Sequence, residues 1–334
     1  MERNNNKLIT VIIPIFNEYE GIPFLVDSLN EFFEQNTELD AEVIFVNDGS
    51  RDNSVERLAA MSHRTYRAKL ISFSRNFGSH AALRAGISHA SGDYICFNYA
   101  DLQDPLELII RMKALMDEGN DIVWAQREST KVPWGEKMFS KFYASLMKKF
   151  AFKNFPEKGF DIVMFNKKVA VEVNKNVEAN SSIFLQILGM GFRQTNITYK
   201  KRERKAGVSK WTLSKKIKLF IDSFVAFSYA PIRFVTIVGI AFFIIGCLWA
   251  VYIIVRKLVF DDLAAGWPAM LSILMIGFGI TNISLGIIAE YLWRTLDASR
   301  KRQVFIIDDI KELNKAEDAQ QTARIAEIKE MRQR

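Results

Sequence analysis

Five short apolar runs rich in β-branched residues mark the first part of the chain: LITVIIP (8–14), AEVIFVN (41–47), AKLISF (68–73), DYICFN (93–98) and NDIVWA (120–125). Such runs read as strands buried on both faces. Helix-like stretches lie between them at 20–34, 52–62, 79–90 and 105–118, with Asp52 and Ser79 as N-cap candidates. Strand and helix in alternation predict an α/β fold, a parallel sheet with helices on both faces. Ligands on such sheets bind at the C-terminal ends of the strands.

The pattern changes after residue 200. Phe234 to Val255 carries no charged residue, and neither does Ala269 to Ala289. At ~1.5 Å per residue the first run spans about 33 Å, enough for a hydrocarbon core of ~30 Å. Two such runs predict two transmembrane helices. Basic residues crowd both outer flanks, among them Lys200, Arg202, Arg204, Lys210 and Arg233 before the pair and Arg294, Arg300, Lys301 and Arg302 after it. Basic flanks stay cytoplasmic, so both termini and the N-terminal domain are expected there. Between domain and first span, Trp211, Leu213, Ile217, Phe220, Phe224 and Phe227 recur at helical spacing, with Lys215, Lys216 and Lys218 largely on the other side. This helix either lies in the headgroup plane or packs on the soluble domain. The expected division is therefore 1–209 (soluble domain), 210–232 (amphipathic segment), 233–293 (two spans) and 294–334 (C-terminal segment). KELNKAEDAQQTARIAEIKEMRQR, from Lys311 to the end, reads as a charged helix, either a homo-oligomer contact or a solvated tail.

The 334 residues carry a formal charge of +7, and the mean hydropathy of +0.01 averages these unlike parts. The two cysteines, Cys96 and Cys247, suggest neither a disulfide framework nor a thiolate metal site, which fits a reducing compartment. His63, His80 and His89 lack metal-ligand spacing and read as ordinary surface or helix residues. The N-terminus MERNNNKLIT has no apolar signal core.

Chemistry concentrates where the first four strands end. Asn17 and Glu18 follow the first; Asp48, Gly49 and Ser50 the second; Arg75, Asn76 and Gly78 the third; and YADLQDP (99–105) the fourth. Any one of these is an ordinary turn; four on one rim make a constellation. No G-x-G-x-x-G or G-x-x-x-x-G-K-[ST] pattern is present, which argues against NAD and ATP chemistry.

VIIPIFNE, VNDGSRD, SRNFGSHAALRAGISHASGDY and ADLQDP, in this order and spacing, resemble the motifs of family-2 glycosyltransferases with the GT-A fold, a Rossmann-like, mostly parallel sheet. The two apolar runs and RERKAGVSKW (202–211) resemble the polyprenyl-phosphate members, such as dolichol-phosphate mannose synthase and bacterial undecaprenyl-phosphate glucosyltransferases, as does EYLWRTLDASRKRQVFIID (290–308). The resemblance covers roughly residues 8 to 308. It implies inverting transfer of one sugar from a nucleotide sugar, UDP-sugar favoured, to a polyprenyl phosphate at the cytoplasmic face of a bacterial plasma membrane, for cell-envelope glycan modification. Nucleic acid is not among the expected partners.

The same resemblance assigns roles. Pro14, Asn17, Glu18, Asp48, Arg75, Asn76 and Tyr99 match nucleotide-sugar positions. Asp101 and Gln103 match positions facing a cation, Mg²⁺ or Mn²⁺. Mg²⁺ needs only one or two carboxylates beside phosphate oxygens and water. Arg204, Ser209 and Lys210 match an acceptor-phosphate pattern, and Arg127 is a further candidate. Asp101, Asp161, Arg204 and Lys210 are the expected catalytic set. Two departures stand out. Val163 occupies a position where many bacterial relatives have Arg, and Tyr99 replaces the first Asp of the Asp-x-Asp-type motif. Tyr99 is expected to alter donor affinity or choice and not the metal requirement. Two other readings remain: a processive polysaccharide synthase, disfavoured by the lack of Gln-x-x-Arg-Trp and of further spans, and a non-catalytic nucleotide-sugar-binding protein.

Overall fold

The computed structural model describes residues 7–128, 138, 144–149, 152, 155, 162–176, 182–202, 230–260, 266–299 and 303–313. Its first elements alternate as the pattern predicts: β1 (Ile9–Ile15), α1 (Ile22–Gln35), β2 (Ala41–Asn47), α2 (Ser54–Ala59), β3 (Arg67–Phe73), α3 (Ser79–Ser88), β4 (Tyr94–Phe97), α4 (Leu108–Asp117) and β5 (Ile122–Arg127). Then follow β6 (Ile162–Asn166), α5 (Lys167–Lys175), α6 (Ile183–Gly189) and β7 (Gln194–Tyr199). Two long helices, α7 (Ala230–Phe260) and α8 (Trp267–Ser299), precede a last strand, β8 (Ile307–Leu313).

The eight strands form one sheet in the order β7-β5-β6-β4-β1-β2-β3-β8. β1, β2, β3 and β4 run parallel, with Val11 opposite both Val43 and Cys96. β6 runs antiparallel between β4 and β5, so the sheet is mixed. From β1 the chain builds outward through β2 and β3, then crosses back to lay β4 on the other side of β1. The gap between β1 and β4 is thus a topological switch point, where loops diverge and leave a crevice.

Alternate residues of β1 supply two cores. Ile9, Val11, Ile13 and Ile15 join Leu25, Leu29 and Phe33 of α1 and Met112 of α4 on one face. Ile12 joins Ala82 and Ala85 of α3 on the other. The strand is therefore apolar at consecutive positions, as a strand covered on both faces must be. α3 lies very close: a Cβ at Gly86 would come within 2.3 Å of Ile12 Cγ2. Buried Arg84 of α3 also donates to Gln186 Oε1 of α6 at 2.7 Å.

Several local expectations are corrected. The helix N-caps are Asn53 and Gly78, not Asp52 and Ser79. Asp52 instead accepts from the Ser54 amide at 3.2 Å and the Ser54 hydroxyl at 2.5 Å, a side-chain turn that competes with capping. At the start of α3 the loop needs φ of +97° at residue 78, a conformation natural to glycine. His63 is buried, bonded to the Tyr66 hydroxyl at 3.0 Å and the Leu58 carbonyl at 3.3 Å, and burial lowers its pKa. Cys96 is buried in β4, where desolvation pushes its thiol up to about 12.

β8 is a further correction. Lys311, Glu312 and Leu313 are strand, where the charge pattern predicts helix. β8 pairs antiparallel with β3, setting Leu313 opposite Ala68 and Ile310 opposite Ile71, and Glu312 pairs with Lys69 at 3.4 Å. Without it β3 would leave a row of open backbone groups, and pairing satisfies them.

α7 and α8 pack against each other and leave large apolar side chains exposed, including Ile237, Leu258, Phe278 and Leu292. Within α8, Ile276–Trp293 is long and apolar enough to cross a membrane, and none of that window is buried. In α7 the described residues give a shorter apolar stretch, Phe234–Gly246. The amphipathic segment expected at 210–228 lies outside the described residues.

Candidate active site

The loops after β1, β2 and β3 interlock through backbone amides and short polar side chains. Asn17, in the left-handed region at φ +52°, donates its N–H to Ser50 Oγ at 3.0 Å and accepts the Arg51 N–H on Oδ1 at 2.8 Å. The Glu18 amide donates to Ser54 Oγ at 2.9 Å. Ser50 is itself held by Asn47 Oδ1, which accepts its N–H at 2.9 Å. The first two loops therefore form one unit that presents Asn17 and Glu18 beside Asp48. Pro14 is still within β1, opposite Val46.

Asp48 is the centre of the second unit. It is 4% exposed, and its carboxylate accepts the Phe77 N–H at 2.6 Å and the Gly78 N–H at 2.9 Å. Asn76 Nδ2 donates to the Asp48 carbonyl at 3.2 Å. Burial pushes the carboxyl up to about 6, partly opposed by the two backbone N–H bonds. Gly49 is required by proximity. At φ +66°, a Cβ there would lie 2.4 Å from the Arg75 carbonyl carbon and 2.7 Å from Asn76 N. Arg75 is exposed and lays its guanidinium 4.0 Å from the Phe77 ring centre.

The loop after β4 flanks the crevice from the other side. Asn98 Oδ1 accepts the Tyr99 N–H at 2.7 Å, and Asp101 Oδ1 accepts the Gln103 N–H at 3.2 Å. Leu102 takes φ +53° between them. Exposure alternates: Asp101 and Gln103 are half-buried, while Leu102 and Asp104 are buried. The donors assigned to a cation thus lie nearer solvent than their neighbours. A carboxylate and an amide oxygen two residues apart are hard oxygen donors of the kind Mg²⁺ accepts alongside phosphate and water. Among the described residues no group of three or more His, Cys, Asp or Glu could hold a metal ion.

Asp104 is not a fourth polar group in the crevice. Its buried side chain accepts the Tyr199 hydroxyl at 2.5 Å and has Lys201 Nζ at 3.6 Å. The Arg202 amide donates to the Gln103 carbonyl at 2.8 Å, and its guanidinium reaches Glu107 at 3.0 Å. The end of β7 is therefore fastened onto the YADLQDP loop. Arg127, at the end of β5, is opposite Tyr199 in the ladder. Tyr199, Lys201 and Asp104 escape sequence reasoning because their partners are about a hundred positions apart. Only the acid beside a proline signals that the turn is constrained. Asp161, Arg204, Ser209 and Lys210 lie outside the described residues.

The polar loops after β1 to β4 thus gather at the switch point of an α/β sheet, the place where such sheets bind ligands. The family model for glycosyl transferase family 2 matches residues 10–173. A Bacillus subtilis protein named as an uncharacterized glycosyltransferase, YkcC, is 34% identical over 89% of this chain and 92% of its own length. The bactoprenol glucosyl transferase of Shigella phage SfV is 33% identical over 91% of this chain and 99% of its own. The prophage bactoprenol glucosyl transferase homolog of Escherichia coli is 31% identical over the same shares, 91% and 99%. The chain belongs to glycosyl transferase family 2 and is a glycosyltransferase with the GT-A, Rossmann-like mixed sheet.

Proposed function

We propose that this glycosyltransferase moves a single sugar from a nucleotide sugar, UDP-sugar favoured, to a polyprenyl phosphate, undecaprenyl phosphate favoured. The observation that carries the reading is the extent of the likeness to proteins named bactoprenol glucosyl transferase. It takes in 91% of this chain, a share too large to leave out the helical pair. The helices support a membrane-facing enzyme with two spans. α7 follows β7 and α8 leads to β8, and both strands belong to one sheet. In a bilayer, that sheet and the basic flanks would share one side, the cytoplasmic one by the charge rule.

The chemistry follows from an acceptor that is already an anion. A phosphate monoester has a second pKa near ~6, so it needs little help from a base. Its oxygen bonds to C1 of the sugar as the C1–diphosphate bond breaks, with inversion. A cation held by Asp101 and Gln103 would neutralise the departing diphosphate. Asp48, Asn17 and Glu18 line the nucleoside end, where a carboxylate can accept from base N–H or ribose hydroxyls. The acceptor needs positive charge to offset repulsion from the donor. Arg204 and Lys210 supply it in this reading, with Ser209 and Arg127 as further contacts and Asp161 positioning the acceptor. The bond from the Arg202 amide to the Gln103 carbonyl supports the pairing, because it sets residue 202 beside the loop that carries Asp101 and Gln103.

The direct test uses membranes containing the protein, radiolabelled UDP-glucose, UDP-GlcNAc, UDP-galactose or GDP-mannose, undecaprenyl phosphate and Mg²⁺. Label should appear in the lipid extract with one donor. Asp101→Asn should lower transfer at least ~100-fold, the scale of losing one transition-state electrostatic contact. No labelled lipid from any donor would refute the proposed reaction, and wild-type rates in the variant would refute the role of Asp101.

A further inference from the structure

The strand that follows the helical pair does more than cover a sheet edge. The β3–β8 register shifts at Ser72/Phe73: Ser72 faces Asp309 but Phe73 faces Ile307, so the ladder skips Asp308. A bulge of this kind re-aims the chain beyond it. Here it lets the Ile306 carbonyl accept the Ser74 N–H at 3.1 Å, one residue past the end of β3. It also lays Phe305 flat on Phe73, with ring centres 5.3 Å apart and planes 9° from parallel. Phe73 in turn meets the Phe77 ring edge-on at 5.7 Å, and Arg75 caps Phe77 at 4.0 Å. Phe305 therefore ends a continuous stack that reaches the loop clasping Asp48.

We propose that Val304–Ile307 is a positioning element of the nucleotide site. Phe305 and the Ile306 carbonyl hold residues 74–78 in the conformation whose Phe77 and Gly78 amides bind the Asp48 carboxylate. This rests on the reading of that rim as the nucleotide-sugar site. Because the segment begins just past the end of α8, it ties the helical pair to the donor-binding loop through one aromatic contact. The far end of β8 is different. Leu313 pairs with Ala68, at the opposite end of β3, and joins the core on the face away from Phe73 and Phe305.

The contrast between the two ends of β8 is the test. The full-length protein in detergent is compared with Phe305→Ala, Phe305→Tyr and Leu313→Ala. Losing an aromatic pair is expected to speed amide exchange at Phe77 and Gly78 roughly 3- to 10-fold in Phe305→Ala. The dissociation constant for UDP-glucose should rise by a similar factor, with kcat within about twofold because Phe305 touches no reacting group. Phe305→Tyr should restore both. Leu313→Ala should lower the melting temperature while leaving both at wild-type values. If Phe305→Ala fails to fold, Phe305→Leu keeps the apolar volume without the stack and is compared in the same way. Unchanged exchange at Phe77 and Gly78, or equal acceleration in Leu313→Ala, would overturn the proposal. Faster exchange in a protein whose wild type binds no nucleotide sugar would uphold the clamp and remove the nucleotide reading instead.

Discussion

Tyr199→Phe isolates the fastening of the loop after β4, the proposed cation site. The substitution keeps the ring of Tyr199, which is 4% exposed, and deletes only the hydroxyl that donates to Asp104 Oδ1 at 2.5 Å. The Asp104 side chain is 0% exposed, so the bond lies in a buried setting where it is not exchanged for one to water, and Lys201 Nζ stays at 3.6 Å. Hydrogen bonds to charged groups contribute about 1.5–3 kcal/mol, so losing this one costs on that scale. For a domain of this size that corresponds to a fall in melting temperature of about 3–12 °C. A second consequence is specific to the site. Asp104 ends the turn that carries Asp101 and Gln103, so a loosened turn should raise the Mg²⁺ concentration needed for half-maximal transfer. Differential scanning calorimetry and a Mg²⁺ titration of lipid labelling measure the two effects. A stable variant with wild-type Mg²⁺ dependence would refute the fastening. A destabilised variant with unchanged Mg²⁺ dependence would reduce Tyr199 to a structural residue.

Two other outcomes follow from the Asp48 clasp. Gly49→Ala drives a Cβ to 2.4 Å from backbone at Arg75 and strains φ +66°, so UDP-glucose affinity should fall at least ~10-fold; an unchanged dissociation constant by calorimetry would contradict the close approach. The pH dependence has a definite sign. The folded pKa of Asp48, about 6, lies above its ordinary value of 3.8, so its contribution to stability is present below that ordinary value and is lost as pH rises through about 6. Donor binding runs the other way. In the proposed reading the ionised carboxylate accepts from the donor, so affinity for UDP-glucose, whose diphosphate does not titrate there, should weaken as pH falls below about 6. Affinity that stays flat to pH 5 would show that Asp48 does not contact the donor as an anion.

Much of the architecture is legible in one dimension because β1 to β5 and the helices between them are local patterns. Runs such as AEVIFVN declare a strand covered on both faces without reference to any partner. The four polar loops are legible for the same reason: each follows its strand directly, and a parallel sheet sends all four to one rim. Pairing is different. β6 runs antiparallel between β4 and β5, and nothing in IVMFN states which neighbours or direction it will take. Lys311–Leu313 looks helical by charge spacing, and only the open edge of β3 makes it strand.

The two carboxylates of YADLQDP show the same division. The sequence by itself determined that both lie in a tight turn after a buried strand, and family resemblance assigned the cation to Asp101 and Gln103. Tertiary structure decided that Asp104 turns inward to a tyrosine 95 positions away, while Asp101 stays half-buried. Periodicity and turn chemistry depend on neighbours along the chain, whereas burial and hydrogen-bond satisfaction depend on which distant segment arrives to supply the partner.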